Sequence, residues 1–100
     1  MKALPYVISK KAVLDLEKIW LYTSDKWSIE QADRYYNLVF DEIAFICRNP
    51  HAGKQMDEIR KSYRAAKVKS HLIFYKVEND TIQVIRILHE SMNIKNRLDD

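Results

Sequence analysis

The apolar pattern changes period once along this chain, and that change constrains the fold more than any other feature. Before Pro50 the apolar residues recur at helical spacing. From Tyr63 onward they lie in runs rich in Val, Ile, Tyr and Phe. A chain that reads helix first and strand last segregates its elements, which predicts an α+β domain rather than alternating βα units.

The helical part divides in two. Pro5 to Ser9, with Tyr6-Val7-Ile8 at its centre, reads as a short strand, and Ser9 then sits where an N-cap belongs. Ala12, Leu16, Ile19, Trp20, Thr23 and Trp27 share one face; this helix is expected to end near Asp25, with Trp27 covering the junction. Ser28-Ile29-Glu30-Gln31 has the spacing of a capping box, so a second helix starts there. Its inward stripe is Ala32, Tyr35, Tyr36, Val39, Ile43 and Ile46. Leu38 and Phe45 form a second apolar row, which predicts contacts with both the first helix and a sheet. Pro50 ends it, because the residue before a proline is pushed out of helical geometry. The short link predicts an antiparallel helical hairpin.

Residues 50–62 have no clear period and read as a long loop with room for one helical turn. Tyr63–Lys69, His71–Glu78 and Thr81–Leu88 read as strands, with Glu78-Asn79-Asp80 as a tight turn. The last two strands are nearly apolar on both faces. One face is expected to meet the helices and the other to be covered by the tail or by another chain. Residues 89–100 are polar and are expected to fray as a flexible tail. The order is β-α-α-β-β-β: an antiparallel meander that the N-terminal strand joins at its edge, in two layers, as one domain over residues 1–100.

Composition narrows the class. A chain that is 47% hydrophobic, with one Gly and two Pro, is neither a disordered tail nor a collagen-like repeat. Cys47 is the single cysteine, so no intrachain disulfide forms, which suits a reducing cytosol. The longest apolar runs, Ala3–Ile8 and Ile43–Cys47, fall far short of the ~20 residues of a membrane span. No signal peptide is read at the start. A soluble cytoplasmic protein is expected.

The net charge of +3 is unevenly placed. Residues 1–50 hold seven basic and seven acidic groups; residues 51–100 hold ten and seven. Between Ile59 and Val77 there are several basic residues and no acid. Arg60, Lys61, Arg64, Lys67 and Lys69, with Arg86 on the last strand, are the candidate target-binding residues, suited to phosphate or an acidic surface. Lys and Arg also blunt exposed strands, which is the structural alternative.

Little else in the chain suggests catalysis. His51, His71 and His89 lie about 20 residues apart, with no metal-ligand spacing on one element, so no metal and no cofactor is expected. Cys47 flanks an apolar helix face and reads as core. Arg64, Arg86 and His89 fall on or just after strands expected to be neighbours. Such a set suits phosphodiester cleavage, with His moving the proton and Arg stabilising developing charge. Leu14 and Leu21 project roughly 140–160° from Leu16. With Leu38 and Phe45 they are the candidate partner-binding residues.

An ordered set of motifs spans nearly the whole chain. It runs Ser9-x-x-Ala12-x-x-Asp15-Leu16, Ile19-Trp20-x-Tyr22, Trp27, Gln31-Ala32 and Tyr35. It continues with Asn49-Pro50-x-x-Gly53, Asp57-Glu58-Ile59-Arg60 and Tyr63-Arg64. It ends with His71-x-Ile73-Phe74-Tyr75 and Ile85-Arg86-Ile87-Leu88-His89-x-Ser91-Met92. This set resembles the ParE toxins of the RelE/ParE superfamily, from bacterial type II toxin–antitoxin modules. Ser28, Ser62 and Asn93 depart from the residues frequent there, namely Gly, Gly and Asp.

The resemblance implies a small toxin, active in plasmid or chromosome stabilisation, that poisons DNA gyrase without being an enzyme. It implies a ParD-type antitoxin as partner, with Leu14, Leu21, Leu38 and Phe45 as the antitoxin-binding residues and operator DNA met only through the antitoxin. RelE relatives instead cut mRNA on the ribosome. In that second reading Arg64, Arg86 and His89 are the residues available for catalysis.

Overall fold

The computed structural model describes residues 3–98. The elements are β1 (Tyr6–Ile8), α1 (Lys10–Lys26), α2 (Ile29–Arg48), β2 (Lys54–Gln55), β3 (Arg64–Val68), β4 (His71–Glu78), β5 (Thr81–His89) and α3 (Ile94–Leu98). Both long helices begin where local chemistry predicts. Ser9 Oγ accepts the Ala12 N–H at 3.0 Å, and Ser28 Oγ accepts the Gln31 N–H at 3.1 Å. Such caps contribute about 1 kcal/mol each. Between β4 and β5, Asn79 and Asp80 both adopt φ 53°, the left-handed pair of a two-residue hairpin turn.

The sheet has the order β1-β5-β4-β3-β2. Strands β3, β4 and β5 form the expected antiparallel meander, and β1 joins its edge, running parallel to β5. One strand was not expected: two residues of the 50–62 loop, Lys54 and Gln55, pair with Ala65 and Arg64. The expected proximity of β3 and β5 needs correction, since β4 lies between them.

The main core lies between the hairpin and the sheet. Leu16, Val39, Ile43 and Ile46 pack on Ile73, Tyr75, Ile82, Val84 and Ile87. The second face carries Ala65, Phe74 and Leu88, covered by Met56, Ile59 and Tyr63 from the loop and by Ile94 and Leu98 from α3. Residues 94–98, within the segment expected to fray, form this helix, and Leu98 is buried. Trp27 does not cover the helix junction: it is 69% exposed. Tyr36, expected in the inward stripe, is also exposed, and Leu38 and Phe45 face solvent rather than the sheet. Among the described residues no helix is long and apolar enough to cross a membrane.

Candidate functional site

Arg86 stands at the open flank of β5. Strand β1 pairs with β5 only as far as Val84, and just beyond it Ser9 Oγ donates to the Ile85 carbonyl at 2.7 Å. The β4–β5 register shifts at this point: Phe74 faces Arg86, whereas Tyr75 faces Val84. Ile85 is therefore a bulge residue, and it reverses the alternation that follows. Ile87 turns to the helix-side core, while Arg86 and Leu88 turn to the other face. The Arg86 guanidinium then meets Asp15 of α1 twice, Nε to Oδ2 at 2.8 Å and Nη2 to Oδ1 at 3.0 Å. Its Nη1 donates to the Arg97 carbonyl of α3 at 2.9 Å, and Asp15 Oδ2 also accepts the Ile87 N–H at 3.0 Å. Arg86 thus joins α1, β5 and α3, with its side chain 13% exposed.

Arg64 does comparable work at another corner. It lies opposite Tyr75 on the helix-side face. Its Nη1 donates to the carbonyls of His51 (3.0 Å) and Gly53 (2.8 Å). The Tyr75 hydroxyl donates to the Pro50 carbonyl and accepts the Gly53 N–H, both at 2.9 Å. Burial of the phenol raises the Tyr75 pKa, despite the opposing bond from Gly53 and the charge of Arg64. The chain's single glycine is required here, because a Cβ on residue 53 would lie 2.5 Å from the Tyr75 hydroxyl oxygen. Beside this corner is a small cleft of about 290 Å³ that Arg64, Lys61, His51 and Tyr63 help to line.

His89 lies elsewhere again. It pairs with His71 at the far end of β4, four residues from Tyr75, or roughly 13 Å along the strand. The two imidazoles meet edge to face at 5.2 Å. His89 Nδ1 accepts the Ser91 N–H at 3.1 Å, and the Ser91 hydroxyl lies 2.7 Å from the same nitrogen. The Tyr35 hydroxyl donates to the Val68 carbonyl at 2.9 Å and lies 2.6 Å from His71 Nδ1. Burial lowers the His71 pKa, with the charge of His89 acting the same way. Burial raises that of Tyr35. These side chains line the inner end of a cleft of about 900 Å³, walled by Tyr22, Trp27 and Leu38 and rimmed by Lys18, Arg34 and Lys69.

The residues expected to cleave a phosphodiester are therefore not gathered. Arg64 and His89 lie two strands apart and four residues from one another along β4, and Arg86 is committed to Asp15. The candidate target-binding residues also divide. Arg60 and Lys61 are exposed near Arg64; Lys67 pairs with Glu90 at 3.2 Å, and Lys69 lies exposed in the β3–β4 turn. Leu14 (53% exposed), Leu21 (61%), Leu38 (37%) and Phe45 (43%) are all open to solvent. Trp20 Nε1 donates to Asp33 Oδ1 across the hairpin at 2.9 Å. At 100° per residue, Leu38 and Phe45 lie roughly 120–140° around α2 from Asp33, and Leu38 lines the large cleft together with Tyr22 of α1 and Trp27.

Asp15, Tyr75, Tyr35, His71 and Ser91 are the residues that sequence reasoning did not single out for these roles. Asp15 left one trace: a carboxylate immediately before Leu16, on the same side of α1 as the apolar stripe.

The description "ParE toxin of type II toxin-antitoxin system, parDE" matches residues 6–94. The chain belongs to the ParE toxin family. Toxin ParE1 of Mycobacterium tuberculosis is 38% identical over 94 residues, which cover 93% of this chain and 96% of that one. Among solved structures, the chromosomal ParDE toxin–antitoxin system from P. aeruginosa has a similar fold, with a TM-score of 0.75. The sequences are 17% identical, and the match covers 87% of this chain and 96% of that one. The toxin–antitoxin complex RelBE2 from Mycobacterium tuberculosis follows at a TM-score of 0.64 and 20% identity, covering 88% and 99%. In this ParE chain two of the quoted motifs acquire a physical reason. Asn49-Pro50-x-x-Gly53 is the loop seated on Tyr75, and the Arg of Ile85-Arg86-Ile87 is the partner of Asp15. Ser62, which departs from the frequent Gly, has φ 71°, a conformation that glycine adopts without strain.

Proposed function

We propose that this chain is a toxin that poisons DNA gyrase by binding rather than by catalysis, and that a ParD-type antitoxin neutralises it. Membership of the ParE family supports the toxin role. The observation that favours binding over cleavage is the separation of Arg64, Arg86 and His89. A nuclease needs its acid–base group and its charge-stabilising groups within reach of one phosphate. Here one arginine is held by a carboxylate and a carbonyl, and the other lies two strands and four residue steps from the histidine. The antitoxin reading rests on the exposed apolar residues of the hairpin, Leu14, Leu21, Leu38 and Phe45, which bury apolar area on meeting a partner segment.

The test is induction in a bacterial host with a His89→Ala variant alongside. The expected outcome is DNA-damage signalling and gyrase–DNA cleavage products, with mRNA intact at early times and much of the toxicity kept by the variant. Loss of a general acid or base typically costs 10²–10⁴ in rate. Rapid mRNA cuts on purified ribosomes, abolished by His89→Ala, would instead establish the ribonuclease reading.

A further inference from the structure

The small cleft beside Arg64 has features that the fold itself does not use. Arg64 spends one nitrogen, Nη1, on the carbonyls of His51 and Gly53. A guanidinium carries five N–H donors in a fixed plane, so this anchorage orients the remaining ones. Nε and Nη2 have no hydrogen-bond partner among the described residues. No buried side-chain nitrogen or oxygen there lacks a partner, so these donors open to solvent rather than to the core. Lys61 lines the same cleft and has no ion-pair partner among the described residues, and His51 and Tyr63 line it as well. Among the described residues that line it, the one carboxylate is Asp57, which accepts the Ser62 N–H at 3.0 Å and closes the turn that carries Lys61. Two cations thus face one carboxylate that is already engaged, in a space of about 290 Å³.

A pre-oriented arginine with two free donor nitrogens suits the paired oxygens of a phosphate, and a lysine beside it adds point charge. We propose that this cleft is a phosphate-binding site, occupied by the backbone of nucleic acid, with Arg64 and Lys61 as its principal contacts. It deepens the proposed function, resting on the reading of this basic segment as a target-binding surface, and makes the chain itself a weak binder of DNA.

The test is fluorescence anisotropy of a labelled 12-base-pair duplex with the full chain at low salt, with inorganic phosphate as competitor. Lys61→Glu is expected to weaken duplex binding at least fivefold and to reduce the salt dependence by about one phosphate contact. Lys10→Glu, the same charge change on α1, is expected to stay within twofold. Arg64→Lys, which also loses the paired bonds to His51 and Gly53, is expected to weaken binding with circular dichroism unchanged, and millimolar phosphate to displace the duplex. Equal losses in Lys61→Glu and Lys10→Glu would overturn the proposal, because they would mean unspecific attraction. Phosphate binding with no duplex binding would also overturn it. A chain that yields gyrase–DNA cleavage products but binds no duplex loses this site and keeps the proposed function. One that binds the duplex but yields no such products does the reverse.

Discussion

Asp15 and Arg86 are joined at two points, 2.8 and 3.0 Å, across the gap where β1 stops and α1 passes over β5. They are 71 residues apart in the chain, and the same carboxylate takes the Ile87 N–H. Removing one partner from a pair this secluded leaves a charge and a backbone donor without compensation. Asp15→Ala is expected to cost about 3–5 kcal/mol of stability. The double replacement Asp15→Leu with Arg86→Met should recover much of that loss. Urea unfolding of the three proteins measures it, and a loss below 1 kcal/mol in the single variant would mean the pair is dispensable.

Gly53 and Tyr75 make a second long-range test. Gly53→Ala drives a methyl against the phenol ring, whose hydroxyl and Cε1 atoms lie 2.5 and 2.7 Å from the ideal Cβ position. Overpacking of this kind typically costs about 1–3 kcal/mol. Tyr75→Phe removes the bonds to Pro50 and Gly53 but leaves the ring. The two changes touch the same atoms, so their effects on the thermal midpoint should not add. Strict additivity would place the clash elsewhere.

The histidine pair gives the fold a pH response of definite sign. Burial, followed by the charge of His89, lowers the His71 pKa below its ordinary value of 6.5. As pH falls through about 6.5, the unfolded chain takes up a proton that the folded chain still refuses. The unfolded state then binds more protons, so stability declines with falling pH. The decline begins near pH 6.5 and ends once the pH has passed the lowered folded value. His71→Gln should flatten the melting temperature between pH 7.5 and 5 relative to the parent. An unchanged slope in the variant would assign that response to other groups.

The apolar rows of the hairpin can be separated by mutation because Leu14 and Leu21 lie on α1 and Leu38 and Phe45 on α2. Burying a leucine contributes about 1.5–3 kcal/mol. Leu14→Glu with Leu21→Glu is expected to weaken antitoxin binding at least tenfold with circular dichroism unchanged. Leu38→Glu with Phe45→Glu tests the other row in the same titration. Unaltered affinity in either pair removes that row from the interface.

Much of the backbone was legible because its signals are local. Ser9 and Ser28 start helices through bonds to residues three positions on, Pro50 stops a helix through its own ring, and Asn79-Asp80 turns the chain within two residues. The change of period at Tyr63 separated helices from strands, and the motif order carried the family. The functional corners depended on partners far away in sequence. Whether Arg64, Arg86 and His89 met rested on the order of the strands, and β4 came between β3 and β5. Whether Arg86 faced a target or a carboxylate rested on Ile85, whose bulge reverses the alternation after Val84. The exposure of Trp27, Tyr36, Leu38 and Phe45 had the same origin. A helical stripe tells which residues share a face, but how much of that face is covered depends on where the sheet ends beneath it. Local hydrogen bonds and backbone sterics are written residue by residue; strand order, bulge position and coverage are set by the joint packing of all the elements, and so appeared only in the tertiary structure.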